Sequence, residues 1–154
     1  MTLLDIIRKI EGVAAKQPSI SMIVRNDVFR INEAPDLKYG IFAWLQGDHV
    51  QQEDSALVGY AFTFFYVDRL REDRKNELEV QSVGITTLGN ILQTLRDDGI
   101  EASGNITYRT FNQRFTDECA GVFCTITLQA PIGSVCSESW PDYNEDFNED
   151  FLIF

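Results

Sequence analysis

The most regular hydrophobic pattern lies in the middle of the chain. Apolar residues recur there at three- and four-residue spacings, as on one face of an α-helix, at Ile85, Leu88, Leu92 and Leu95. The pattern predicts a helix from Asn76 to Asp98, with Asn76 as N-cap and Glu79 reaching back to it in a capping box. Gly99 stands where a left-handed residue commonly ends a helix. We expect this helix to cover the apolar strands on either side of it.

A second amphipathic helix is predicted near the N-terminus, from Leu3 to Ala15. Its apolar residues share one face, namely Leu3, Ile6, Ile7, Ile10, Val13 and Ala14. Its polar face carries Asp5, Arg8, Lys9 and Glu11. Pro18 ends the helix, because proline removes a backbone donor and its ring clashes with the preceding turn.

Alternating residue patterns predict strands in the remaining ordered stretches. These are Ser19 to Ile31, with a turn or bulge at Asn26-Asp27 between two strands, then Tyr39 to Gln46, Leu57 to Leu70, Asn105 to Phe115, and Gly121 to Ala130. Loops are expected at Asn32 to Leu37 and, as a hairpin loop, at His49 to Asp54.

Two of these strands have apolar faces that other parts of the structure must cover. Both faces of Tyr39 to Gln46 are apolar, so this strand is covered on both sides or lies at a subunit contact. One face of Leu57 to Leu70 carries four aromatic residues in succession, Tyr60, Phe62, Phe64 and Tyr66. We expect the central helix to pack on that face.

The order of elements predicts an α+β fold. It combines an N-terminal helix, a mainly antiparallel β-sheet with one long helix packed across it, a C-terminal β-hairpin and an extended acidic, aromatic tail. A chain of 154 residues fits one domain with a real core, without disulfides or a metal. We assign residues 1–130 to this domain and residues 131–154 to a C-terminal extension.

The C-terminal extension concentrates both aromatic residues and negative charge. If it is helical, one stripe carries Trp140, Tyr143, Phe147, Phe151 and Phe154. The same segment holds Glu138, Asp142, Glu145, Asp146, Glu149 and Asp150 with no basic residue, so −6 of the net charge of −11 lies here. Two interpretations stay open: the segment folds back on its own domain or frays, or its five aromatics dock on a neighbouring subunit. Those aromatics are our candidate subunit-docking residues.

The overall charge narrows the class of partner. A net charge of −11 disfavours binding to nucleic-acid phosphates or anionic membranes, and basic or neutral proteins fit better. The chain has neither a signal-peptide pattern nor an apolar run approaching the roughly 18 residues of a membrane span. These features predict a protein made and kept in a reducing cytoplasm.

The residues offer little for catalysis or metal binding. His49 is the only histidine, lies in a predicted loop and is expected to be a surface residue. The three cysteines, Cys119, Cys124 and Cys136, form no CxxC pair, and Cys124 occupies a core-facing strand position. We therefore predict no catalytic residue, no metal site and no cofactor. A hydrolytic or ligand-binding α+β enzyme would need a concave site with convergent polar groups.

Three stretches of the sequence carry a family resemblance. They are Leu3 to Ile7, Ile23 to Ile31, and Phe115 to Phe123 before the last strand. With the order of elements, from Leu3 to Ala130, they resemble the tail-terminator or tail-completion proteins of tailed bacteriophages. The acidic, aromatic tail is not part of that pattern.

The resemblance implies a non-enzymatic virion protein, assembled in the host cytoplasm as a ring at the neck or the head-proximal end of the tail. Its expected partners are copies of itself and other neck, head-connector and tail proteins. DNA would pass through the ring without specific binding, and no membrane is involved. The alternative is a soluble, prophage-derived bacterial interaction or adaptor module that acts as a dimer.

Overall fold

The computed structural model describes residues 1–32, 38–51, 53, 55–114, 118–132 and 152–153. Its elements follow in the order α1 (Leu3–Ala15), β1 (Met22–Arg25), a 3-10 turn (Phe29–Asn32), β2 (Ile41–Gln46), β3 (Val50–Gln51), β4 (Leu57–Arg69), a 3-10 turn (Glu72–Arg74), α2 (Glu77–Asp97), β5 (Glu101–Ala102), β6 (Arg109–Arg114), β7 (Glu118–Pro131) and β8 (Leu152–Ile153). The predicted α+β fold is confirmed, including the C-terminal hairpin of β6 and β7.

The eight strands form one mixed sheet in the order β5-β7-β4-β2-β1-β8, with β6 also paired to β7 and β3 to β4. β1 is parallel to both β2 and β8, while the other pairs are antiparallel. β4 and β7 pair over 13 residues, from Leu57 opposite Pro131 to Arg69 opposite Cys119. This long ladder forms the centre of the fold.

Both helices pack on one face of the sheet, which we call the helical face. The predicted aromatic row of β4 lies there, buried beneath α1 and α2 with Phe42 and Trp44 of β2. A smaller core on the opposite face joins Met22 and Val24 to Val28 and Ile31 of the first 3-10 turn. β2 is therefore covered on both sides, as its two apolar faces predicted.

The apolar stripe of α2 is confirmed in part. Leu88, Leu92 and Leu95 are buried, but Ile85 is 41% exposed and its assignment to the stripe was wrong. The buried face is instead centred on Gly84 and Leu88, because Gly84 brings the helix backbone against Tyr66 and Val122 of the sheet. A rotation that buried Ile85 would lift this small residue out of the contact.

The predicted capping box of α2 is wrong, whereas its C-terminal signal is right. The Asn76 side chain accepts from the amide of Arg71 and donates to the carbonyl of Arg69, so it closes the preceding loop and caps no helix amide. At the other end Gly99 has φ +87°. The N–H of Gly99 donates to the backbone carbonyl of Arg96, and the N–H of Ile100 donates to the backbone carbonyl of Leu95, as in a Schellman motif.

The first helix has the predicted bounds but a different polar face. Thr2 and Asp5 form a capping box at its start. Glu11, which the sequence placed on the exposed face, is 0% exposed. Its carboxylate can be buried because two side chains of the sheet, Arg25 and Trp44, donate hydrogen bonds to it.

The second strand predicted between Val28 and Ile31 does not form. Asn26 adopts φ +52°, and its side chain accepts from the amide of Gln46. The carboxylate of Asp27 then accepts from the amide of Phe29 and starts the 3-10 turn. These side-chain acceptors compete with strand pairing, and the turn buries Val28 and Ile31 against the sheet.

Smaller differences concern loops and strand ends. The first residues of the predicted strand Asn105 to Phe115 precede β6, which begins at Arg109. The hairpin loop predicted from His49 contains the two-residue strand β3, and β5 was not predicted. Most of the predicted loop Asn32 to Leu37 lies outside the described residues.

Candidate functional site

The five aromatics predicted for subunit docking, Trp140, Tyr143, Phe147, Phe151 and Phe154, lie outside the described residues, so that assignment stays a prediction. The structure does place Leu152 and Ile153, which form β8 opposite Met22 and Ile23 of β1. Leu152 and Ile153 are therefore extended, and they pair at an edge of the chain's own sheet.

A buried polar cluster joins α1 to the sheet. Arg25 donates from Nε and Nη2 to the carboxylate of Glu11, at 2.8 Å and 2.9 Å. The indole Nε1 of Trp44 donates to the same carboxylate at 3.1 Å. Arg25 and Trp44 are register neighbours on β1 and β2 and share the helical face. The carboxylate of Glu11 is thus both charge-paired and hydrogen-bonded, which a buried charge requires.

Beside this cluster lies an open cavity of about 420 Å³ between the N-terminal half of α1 and the last residues of β1 and β2. Leu3, Leu4 and Ile7 supply its apolar wall. Arg25 and Arg30 are the charged residues that line it, and Trp44 lies at its floor with the polar side chains of Asn26 and Gln46. Because the guanidinium of Arg25 already pairs with Glu11, Arg30 supplies the remaining charge of the lining.

A second cavity, of about 540 Å³, lies at the C-terminal end of β4. It is lined by Asp68, Asn76 and the basic connection that follows the strand. Burial raises the pKa of the Asp68 carboxyl, although the Arg69 amide and the Tyr66 hydroxyl donate to it. The backbone of Gly40 lies close to the Tyr66 side chain, since a Cβ at position 40 would lie 2.7 Å from the Tyr66 hydroxyl. The groups are polar, but they point to no particular reaction.

The cysteines and the histidine have structural environments. Cys119 and Cys124 are both buried, and burial raises the pKa of the Cys124 thiol to about 12, so it is not a thiolate at neutral pH. Cys136 lies outside the described residues. His49 is half-buried: its Nδ1 accepts from the amide of Ala61, and its ring packs on Tyr60 and Phe62.

The two sides of the sheet end in unlike strands. β5 and β6 both pair with β7 on one side, and no strand among the described residues pairs with the outer edge of β6. β8 lies on the opposite side and pairs only with β1 within the described part of the chain. Unpaired edges present rows of backbone donors and acceptors that another strand can complete. They are the candidate contact surfaces of this fold.

The face of the sheet opposite the helices carries a cluster of rings. Phe65 stacks with Phe123 at 5.7 Å between centroids, and Phe111 of β6 meets both of them. All three side chains are half-buried. Phe111 lies over Gly121, where a Cβ would be 2.8 Å from its ring. The cluster anchors β6 to the long central strands.

Comparison with known proteins gives no assignment: no family model matches the chain, and neither does any curated protein. Among the residues that the structure describes, no helix is long and apolar enough to span a membrane. No group of three or more possible metal ligands occurs in that part of the chain either.

The cluster of Glu11, Arg25 and Trp44 was missed by sequence reasoning. A signal was present, because Glu11 lies four residues after Ile7 and three before Ala14, and so falls within the apolar stripe of α1. A carboxylate in such a stripe indicates a buried partner. The identity of that partner depends on strand pairing, which the helix pattern does not contain.

Proposed function

We propose that this chain is a non-enzymatic structural protein of a tailed-bacteriophage virion, a subunit of a neck or tail-terminator ring that joins head-side components to the tail. The observation that carries the proposal is the pair of unlike strand edges, β6 and β8, on opposite sides of one sheet. Assembly in the host cytoplasm and contact with neck, head-connector and tail proteins belong to the same proposal.

Two different edge strands on opposite sides of the sheet favour a ring over a dimer. When the β6 edge of one subunit meets the β8 edge of the next, the two contacting surfaces differ, so the contact is heterologous. Repeating a heterologous contact closes a ring if the rotation per subunit divides a full turn. A dimer would use one surface twice, for example two β6 strands paired across a two-fold axis.

The charge distribution supports the same role. A net charge of −11 gives the subunit a surface that repels phosphate, which lets DNA pass through a channel without sticking to its wall. Neutralising contacts with neighbouring neck proteins would then come from basic surfaces on those partners.

The test is the size and symmetry of the assembly formed by the purified protein. Mass photometry gives the number of subunits, and negative-stain electron microscopy gives the symmetry. The informative variant is Asn112→Lys, because Asn112 is exposed on β6 and a lysine there blocks edge pairing. Thr86→Lys, on the exposed side of α2, adds the same charge away from both edges and serves as the matched control.

We expect closed rings for the unaltered protein and for Thr86→Lys, and smaller species for Asn112→Lys. A monomer at high protein concentration would refute the ring. A dimer that Asn112→Lys dissociates would favour the adaptor module over the virion protein. Rings that persist in Asn112→Lys would show that β6 is not the contact.

A further inference from the structure

The described residues cover the face of the sheet opposite the helices only in part. Val28 and Ile31 pack there over β1 and β2 and form the smaller core. Beyond that core the face continues over β4, β7 and β6, and we call this region the open face. It carries the ring cluster and a row of threonines. All of these side chains are half-buried or exposed: Phe65, Phe111, Phe123, Thr63, Thr125 and Thr127.

Short side chains make the open face flat beside its rings. Thr127 lies over Gly59, where a Cβ would be 2.9 Å from the Thr127 Cγ2 atom. The hydroxyls of Thr63 and Thr125 lie 3.3 Å apart, across β4 and β7. A flat sheet face can pack on a second sheet at a distance of about 10 Å, with the two sets of strands about 30° apart. The shape of the open face therefore fits another sheet.

The open face carries none of the negative charge that dominates the chain, which has 24 acidic residues and a net charge of −11. Along β2, β4, β6 and β7, the described side chains on this face are apolar, threonine, glutamine or arginine, and none is acidic. Acidic residues belong instead to the helical layer, for example Glu77, Glu79 and Asp97 of α2. Aromatic rings on a surface without carboxylates are typical of the centre of a protein interface.

The absence of carboxylates on these strands favours a second copy of this chain as the partner. Two copies repel each other where their acidic surfaces meet, because like charges across an interface are unfavourable. At the open face they can approach without opposing carboxylates. A basic protein would gain more at the acidic surfaces, and the net charge repels nucleic acid.

We propose that the open face binds the open face of a second copy, sheet on sheet, across a two-fold axis. Such a contact is isologous, and its axis lies between the two sheets. Thr125 is at the middle of the face, two residues from Phe123 in one direction and two from Thr127 in the other. It therefore lies near Thr125 of the second copy. The proposal does not depend on the ring, which uses the strand edges.

The test is sedimentation equilibrium of the full chain over a range of concentrations. Thr125 is exposed, so Thr125→Asp and Thr125→Lys each place a charge at the middle of the open face. When two copies of one variant pair, like charges meet. In an equimolar mixture of the two variants, aspartate meets lysine.

Thr110→Asp and Thr110→Lys are the matched controls. Thr110 is also an exposed strand threonine, but it lies opposite Val122, so its side chain is on the helical face of the sheet. All variants are measured with and without Asn112→Lys, which separates the contact through the β6 edge from the contact through the open face. Circular dichroism verifies that each variant is folded.

In the Asn112→Lys background, we expect the average mass of the otherwise unaltered protein and of the Thr110 variants to approach twice that of either Thr125 variant. Each Thr125 variant alone should raise the dissociation constant at least about tenfold, because like charges meet across the contact. The mixture of Thr125→Asp and Thr125→Lys should restore association, which a merely destabilised variant would not do.

Association that both Thr125 variants leave unchanged would overturn the proposal, and so would a mixture that does not associate more tightly than its components. A protein that is monomeric at every concentration would overturn it as well. The edge contact of the ring is tested by Asn112→Lys alone, so either contact can fail while the other stands.

Discussion

Glu11 and Arg25 join α1 to β1 through a bidentate ion pair, in which Arg25 Nε lies 2.8 Å from Glu11 Oε2 and Nη2 lies 2.9 Å from Oε1. The indole of Trp44 completes the set from the neighbouring strand. The Glu11 carboxylate therefore fixes α1 against β1 and β2, and it holds Arg25 and Trp44 where they line the cavity.

Removing the carboxylate should destabilise the fold strongly. Glu11→Ala leaves the guanidinium of Arg25 without this partner and the indole N–H of Trp44 without an acceptor, and breaking such a buried pair costs about 3 kcal/mol or more. Glu118→Ala is the control, because Glu118 pairs with Arg74 at an exposed site, where an ion pair contributes less than about 1 kcal/mol. Urea unfolding followed by circular dichroism measures both free energies. Equal losses in the two variants would contradict a structural role for Glu11.

Two glycines of α2 should respond in opposite ways to alanine. A Cβ at Gly84 would lie 2.9 Å from Val122 Cγ2 and 3.0 Å from Tyr66 Cδ1, whereas a Cβ at Gly89 meets only the Tyr108 hydroxyl, at 3.5 Å. Both substitutions gain helix propensity, about 1 kcal/mol. Gly84→Ala also overpacks the interface between helix and sheet, so it should be about 1–3 kcal/mol less stable than Gly89→Ala.

Thermal unfolding of the two glycine variants under the same conditions gives that difference. Because both are glycine-to-alanine changes in one helix, propensity and unfolded-state effects largely cancel. A Gly84→Ala protein as stable as Gly89→Ala would show that α2 can shift away from the sheet at little cost.

The stability of the protein should depend on pH through Asp68. Burial raises the pKa of this carboxyl in the folded state above its ordinary value of 3.8, so the ionised form costs stability. That cost is present above the folded-state pKa and is removed as the pH falls through it towards 3.8. Asp68→Asn keeps an oxygen to accept from the Arg69 amide and carries no charge. It should therefore be more stable than the unaltered protein at pH 7, with a smaller advantage near pH 4.

Urea unfolding of both proteins at several pH values between 4 and 7 tests this sign. An advantage of Asp68→Asn that grows as the pH falls would contradict it, since the ionised carboxylate would then be the stabilising form.

Truncation after Ser137 should leave the domain folded and weaken assembly. All the core residues that the structure describes lie before Pro131, and within the described part of the chain β8 adds a two-residue pair to β1. Its loss nevertheless changes one of the two sheet edges on which the proposed ring depends. Circular dichroism during unfolding reports the first effect, and mass photometry the second. Loss of cooperative unfolding would show that the extension belongs to the core.

Much of the fold was predictable because the relevant signals are local. The bounds of α1, the left-handed Gly99 at the end of α2 and the buried aromatic row of β4 each follow from spacing or backbone preference within a few residues. The errors arose where a residue with a clear local preference is held instead by groups outside its predicted element. Asn76 is a good N-cap residue, but the backbone of the preceding loop holds its side chain.

The candidate site was less predictable than the fold. Nothing in the spacing of Arg25 and Trp44 along the chain shows that they become neighbours, since that requires the parallel pairing of β1 and β2. The cavity likewise arises from three separate stretches of chain, in α1, β1 and β2. The predicted docking aromatics stay a prediction, while the return of Leu152 and Ile153 to β1 is a tertiary result.

By itself, the sequence determined the α+β class, the main strands, both helices and the concentration of acid and aromatic residues near the C-terminus. These features depend on periodicity, composition and backbone preference, which act over short distances along the chain. Only the tertiary structure decided which of the described strands lie at the sheet edges, which residues surround the cavity and why Glu11 is buried. Those outcomes depend on strand order and register, which bring together residues that are distant in sequence.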